Sequence, residues 1–292
     1  CLMATVDTAY AFSDIAKYLV ASQEVEPGNG WLYSGWIGVL ATTPEIEPLE
    51  LSKVICDSYV QGCELVGTED SITLSVTDLS KVSGLVAAYD DFGKEALALA
   101  VENPAFFARF SKIANSVENY GGNTREQGYT NMTDLGSLAF KSSELLPETW
   151  GAVTAALADC VVYKVNGKYR PESVGLSCYY SYNGDVEDFN AYVGIGPSQS
   201  FKYLYAYGLT GELSDQGMDY ISQMNYSSLP ELLTLNSVNW NDMPVTVDEN
   251  GNATLTLGSQ AMDILSSLTF ELYYADPEED ILLCLGTDND II

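Results

Sequence analysis

The chain has 292 residues, 47% of them hydrophobic, which is enough apolar material for a sizeable core and argues against a disordered segment. Twelve basic residues stand against 41 acidic ones, a formal charge of −29. A surface this negative excludes nucleic acid and anionic membranes as partners, because binding phosphate needs clustered cations.

In chain order, residues 8–18 read as an amphipathic helix, with Ala9, Phe12, Ile15, Ala16 and Leu19 recurring at three and four residues. Tyr18-Leu19-Val20-Ala21-Ser22 follows as a short buried strand, and Pro27, Gly28 and Gly30 enforce a loop before a second helix over 31–40. Residues 47–62 predict a third helix, with Cys56 and Cys63 two turns apart on one face. Residues 71–76 alternate and are β-branched, so they predict a strand, and Asp78 suits the cap of a long helix to about residue 100. Helical character continues over 106–117. A glycine-rich loop covers 120–125, and Asp134 looks like the cap of a helix through Phe140. Residues 148–159 are helical, and the runs 161–164 and 175–180 are expected to form a hairpin or strand pair around Asn166-Gly167 and Pro171. Beyond that the pattern changes. Residues 245–248 and 254–257 alternate around Asn250-Gly251, a hairpin signal, and 268–273 and 281–285 read as two more strands.

Strands alternating with helices predict an α/β sandwich, a mainly parallel sheet with helices on both faces, over residues 1–234. A small, incomplete all-β module is expected over 235–292. With neither an initiator methionine nor a recognisable cap at Ile292, the chain is expected to be a piece truncated at both ends.

The six cysteines (1, 56, 63, 160, 178, 284) are too scattered for a disulfide framework. Without histidine or a Cys-x-x-Cys unit there is no conventional zinc site. Most of these thiols are expected in the core, as free cysteine usually is. No apolar run reaches membrane-spanning length, so no insertion is expected.

Cys1 is the exception among the cysteines. It stands one short loop before a helix, where unpaired amides favour a thiolate. The triplet Cys1-Leu2-Met3, the run Tyr18-Leu19-Val20-Ala21-Ser22-Gln23-Glu24, Asn131-Met132-Thr133-Asp134-Leu135 and Gly175-Leu176-Ser177-Cys178-Tyr179-Tyr180 together resemble the clostripain-like cysteine peptidases, which have a caspase-like three-layer fold. The resemblance spans about residues 1–205, and the block 1–31 is its most specific part. It implies a cysteine endopeptidase in which Cys1 attacks the scissile carbonyl and its backbone N–H lends one oxyanion donor. Such an enzyme needs an imidazole to shuttle the proton. The chain has no histidine, so the base and the second oxyanion donor are expected on residues upstream of this piece.

The resemblance also implies a pocket for Arg or Lys at P1, with an acid where Asn29 stands; an amide there weakens the match to a guanidinium. Ser22, Gln23 and Glu24 either edge the same cleft or are a strand end with a solvated acid. No cofactor is required on this reading. Ca²⁺ is an optional ligand of the acidic runs 276–280 and 288–290, for which solvated turns are the simpler account. Substrates are proteins or peptides, and the family implies an extracellular or cell-surface location. The alternative is a clostripain-like scaffold that lost its histidine and binds carbohydrate or protein. An unrelated acidic adhesin leaves the block 1–31 unexplained.

Overall fold

Cys56, Tyr59 and Cys63 recur at three and four residues and are wholly buried, so one face of the helix Pro48–Glu64 lies against a core. Pro48 opens that helix, at a position where no amide hydrogen bond is needed. The computed structural model describes residues 2–103, 105–265, 267–276, 278 and 281–291. In chain order they form α1 (Val6–Phe12), β1 (Tyr18–Ala21), α2 (Tyr33–Thr42), α3 (Pro48–Glu64), β2 (Thr73–Asp78), α4 (Val82–Glu102) and α5 (Phe106–Asn115). Four short strands follow, β3 (Asn119–Tyr120), β4 (Asn123–Thr124), β5 (Gly128–Tyr129) and β6 (Met132–Asp134). Then come α6 (Leu135–Lys141), α7 (Trp150–Cys160), β7 (Val161–Asn166), β8 (Ser177–Tyr179), α8 (Val186–Ile195), α9 (Gln199–Thr210) and α10 (Asp215–Gln223). The C-terminal stretch has β9 (Val245–Val247), β10 (Ala253–Leu255), α11 (Ser259–Met262), β11 (Ser267–Asp276) and β12 (Ile281–Ile291).

The chain divides into two compact units, Cys1–Ala98 with Val117–Ser227, and Leu99–Ser116 with Ser228–Ile292. In the first unit β1, β2 and β7 form one sheet, β3, β6 and β8 a second, and β4 pairs with β5. Cys56, Tyr59 and Cys63 of α3 pack on Ile72, Leu74 and Val76 of the first sheet, with Tyr18, Val20, Tyr163 and Val165 closing the cluster. Elsewhere in this unit α4 and α9 meet through Tyr89 and Phe201, stacked at 4.4 Å.

Three expectations are corrected here. The ladders among the described residues are antiparallel, Ala21 facing Ser75 and Leu74 facing Val165, whereas alternation of helix and strand predicts a mainly parallel sheet. Alternation fixes which layer an element joins but not its direction. The excursion through α2 and α3 returns the chain to the end of the sheet it left, and β2 then runs back beside β1. Among the described residues the one parallel contact is the bridge between Thr5 and Ser177. The second correction concerns residues 161–180. β7 and β8 do not pair with each other, because β7 completes the sheet of β2 and β8 that of β6. The helix expected over 8–18 also starts earlier and stops at Phe12: Thr5 caps it by accepting from the Thr8 amide at 3.0 Å.

In the second unit, β9 and β10 pair around Asn250-Gly251, and β11 pairs with β12. Two single-turn helices (Leu235–Ser237 and Trp240–Asp242) and α11 accompany these hairpins. A small cluster of Val238, Ala261 and Leu265 holds that region.

Candidate functional site

Cys1 lies outside the described residues. The segment that follows it does not. Leu2 donates its amide to Glu24 O at 3.4 Å, and Ala4 donates to Ser22 O at 3.0 Å. On the other side Ser177 donates its amide to Ala4 O at 2.8 Å. Residues 2–5 are thus threaded between the exit of β1 and the start of β8, with Thr5 then capping α1. Leu2 has a left-handed backbone (φ 57°), a conformation that costs a residue with a side chain about 1–2 kcal/mol and persists only where its surroundings impose it.

Three of the four residues expected to line the cleft sit directly behind this segment. Ser22 and Gln23 are 1% exposed and Glu24 8%. Thr73 Oγ1 accepts from the amides of Gln23 (3.1 Å) and Glu24 (2.9 Å) and lies 3.1 Å from Ser22 Oγ. Gln23 donates Nε2 to Asp134 Oδ2 at 3.0 Å and accepts the Gly175 amide at 2.8 Å. Glu24 is not a solvated acid: its Oε1 accepts from the amides of Val25 (2.7 Å) and Gly121 (3.0 Å), and Oε2 takes a charged hydrogen bond from Arg170. Asn29 differs. It is exposed on its loop, accepts from Thr68 Oγ1 at 3.2 Å and donates to Cys63 Sγ at 3.6 Å.

Asp134 is the hub of the polar core. One oxygen caps α6 by accepting from the Ser137 amide at 2.8 Å, as its position before a helix predicts. The other accepts from Gln23, from Tyr120 Oη at 2.8 Å and from the Val174 amide at 2.9 Å. Burial, and the Asp134 charge beside it, push the Tyr120 hydroxyl far above its ordinary range, so it remains a donor. Arg170, Tyr120, Gly121 and this second role of Asp134 are not read from the sequence. The signals available were slight: Arg170 is one of only three arginines, and Gly121 lies in a run already expected to be a loop.

Asp7, in the first turn of α1, has its carboxyl raised from 3.8 to about 6, chiefly by burial and against an opposing pull from Lys202. A raised carboxylate pKa favours the protonated folded state. Stability from this group is therefore full below about pH 4 and lost as pH rises towards 6. Asp7→Asn is expected to match wild type in acid and to exceed it by about 2–3 kcal/mol at neutral pH in urea titrations. An unchanged difference across that range would show that Asp7 does not titrate this way.

Among the described residues no group of three or more His, Cys, Asp or Glu side chains is placed to hold a metal ion. The acidic run 276–280 includes Pro277, Glu279 and Asp280, which lie outside those residues, as do the side chains of 288–290. No helix among the described residues is long and apolar enough to cross a membrane.

The family model of the clostripain peptidases matches residues 1–194. The chain belongs to the clostripain family of cysteine peptidases. Among solved structures, an inactive zymogen protease from Parabacteroides distasonis is similar at 16% identity and TM-score 0.51, over 69% of this chain and 56% of that one. That likeness shows a shared fold. A cysteine protease from B. fragilis aligns at 16% identity and TM-score 0.46 over 71% and 85% of the two chains. A clostripain from Bacteroides thetaiotaomicron, solved with a peptide inhibitor, aligns at 17% and 0.49 over 69% and 83%. No curated protein matches the chain.

Proposed function

We propose that the chain is the nucleophile-bearing part of an extracellular or cell-surface cysteine endopeptidase with a caspase-like three-layer domain ending near residue 234 and a β-rich accessory module after it. Cys1 is the nucleophile. The family match from residue 1 onward carries this reading. The pinning of residues 2–5 by Ser22, Glu24 and Ser177 supports it, since a nucleophile must be held to a fraction of an ångström. With no histidine among the 292 residues, the imidazole comes from a part of the protein outside them. The thiolate adds to the scissile carbonyl, the imidazolium returns the proton to the leaving amine, and water then hydrolyses the thioester.

Substrates are peptides cut after a basic residue. Asn29, exposed on the loop 26–31, meets the P1 side chain, while Ser22, Gln23 and Glu24 form the wall behind. An amide gives a guanidinium only neutral hydrogen bonds, so Asn29→Asp in the complete protein is expected to raise kcat/KM for Arg at P1 about tenfold and leave uncharged P1 residues unchanged. Profiling cleavage of a peptide library varied at P1 checks this. A wild-type preference for acidic or apolar P1, or no response to Asn29→Asp, would remove the basic pocket from the account.

A further inference from the structure

The left-handed turn at Leu2 needs something to hold it, and the structure shows what does. Gly121 sits on the Leu2 side chain. A Cβ added there would lie 2.9 Å from Leu2 Cδ1 and 2.6 Å from Thr130 Cγ2, so only glycine permits the approach, and its own φ of 71° favours glycine as well. The Gly121 amide is tied to Glu24 Oε1, and the Glu24 carbonyl receives the Leu2 amide. Arg170 closes the arrangement from the far side. It pairs with Glu24 Oε2, donates Nη1 to Asn119 O at 3.3 Å and lies 5.6 Å from the Tyr120 ring centre. Glu24 thus connects residues 119–122, through its carboxylate, to Leu2, through its backbone carbonyl.

We propose that Glu24 is a positioning residue for peptide hydrolysis, not a ligand for substrate: paired with Arg170, it draws residues 119–122 onto Leu2 and so fixes the residue next to Cys1. This rests on Cys1 being the nucleophile. Both Glu24 oxygens are already taken from within the protein, and the group is buried, so a substrate cation has no free oxygen to meet.

The test uses the complete peptidase and three variants, Glu24→Gln, Arg170→Met and Arg170→Lys. Glu24→Gln and Arg170→Met are expected to lower kcat about tenfold or more on substrates with Arg and with uncharged P1 residues alike, with KM within about twofold. The alkylation rate of Cys1 by iodoacetamide should change in parallel, and Arg170→Lys, which keeps the charge on Glu24 but loses the fork to Asn119, should recover part of the lost kcat. If Glu24→Gln does not fold, Gly121→Ala presses on Leu2 while leaving the ion pair intact and should show the same loss. A Glu24→Gln enzyme with normal kcat and a raised KM confined to Arg substrates would make Glu24 a substrate ligand and overturn the proposal. Unchanged kcat and alkylation in Gly121→Ala would overturn it too. If the wild-type enzyme keeps its activity when Cys1 is alkylated, the nucleophile reading fails and takes this one with it; normal wild-type behaviour with unresponsive variants rejects the positioning role alone.

Discussion

Cys1→Ala in the complete protein is expected to lower peptide hydrolysis on the order of 10⁴-fold or more, with substrate affinity little changed. The reason is chemical. Without the thiolate there is no thioester route, and the remaining oxyanion donors and binding contacts accelerate direct attack by water only modestly. Three of the other cysteines cannot take over. Burial, with Asp57 nearby, pushes the Cys56 thiol up to about 12, and burial beside Asp78 does the same to Cys160. Cys178, wholly buried, is raised further still. Those groups stay protonated and inert at neutral pH. A kcat that fell less than tenfold in Cys1→Ala would mean that another residue carries the reaction.

Asp134→Ala is expected to cost about 3–5 kcal/mol of folding stability. The side chain is completely buried and receives donors from Ser137, Gln23, Tyr120 and Val174, of which only Tyr120 has other oxygens, on Glu118 and Ser173, within reach. Asp134→Asn is no rescue, since either orientation of the amide turns an NH₂ group towards a donor. Asp78→Ala is the control. Asp78 also caps a helical turn, accepting from the Ser80 amide at 3.0 Å, but it does so at the surface, and its loss should cost about 1 kcal/mol. Urea unfolding of the three variants measures the contrast; equal losses for Asp134→Ala and Asp78→Ala would show that the buried network adds nothing beyond the cap.

Those two aspartates also mark how far the sequence could be read. Each precedes an apolar helical pattern, and both are caps. Nothing in the local pattern distinguishes the one that also binds Gln23, Tyr120 and Val174, because those partners lie 111, 14 and 40 residues away. The helices were legible for the opposite reason, since Cys56, Tyr59 and Cys63 announce a buried face within a single segment. Strand pairing was not. The runs forming β7 and β8 look like a hairpin when read locally, and only the competing partners β2 and β6 separate them. The site divides the same way. The block Tyr18–Glu24 is recognisable from its residues, but that Glu24 answers to Arg170 across 146 positions is a property of the fold.

The measurement that tests the central claim most directly is to inactivate the complete protein with a peptidyl chloromethyl ketone ending in arginine and locate the adduct by mass spectrometry. The account predicts one adduct per molecule, on Cys1, formed in step with the loss of activity, while the exposed Cys284 remains unlabelled by this substrate-directed reagent. An adduct on any other residue that tracks the loss of activity, or full activity in molecules modified at Cys1, would contradict it.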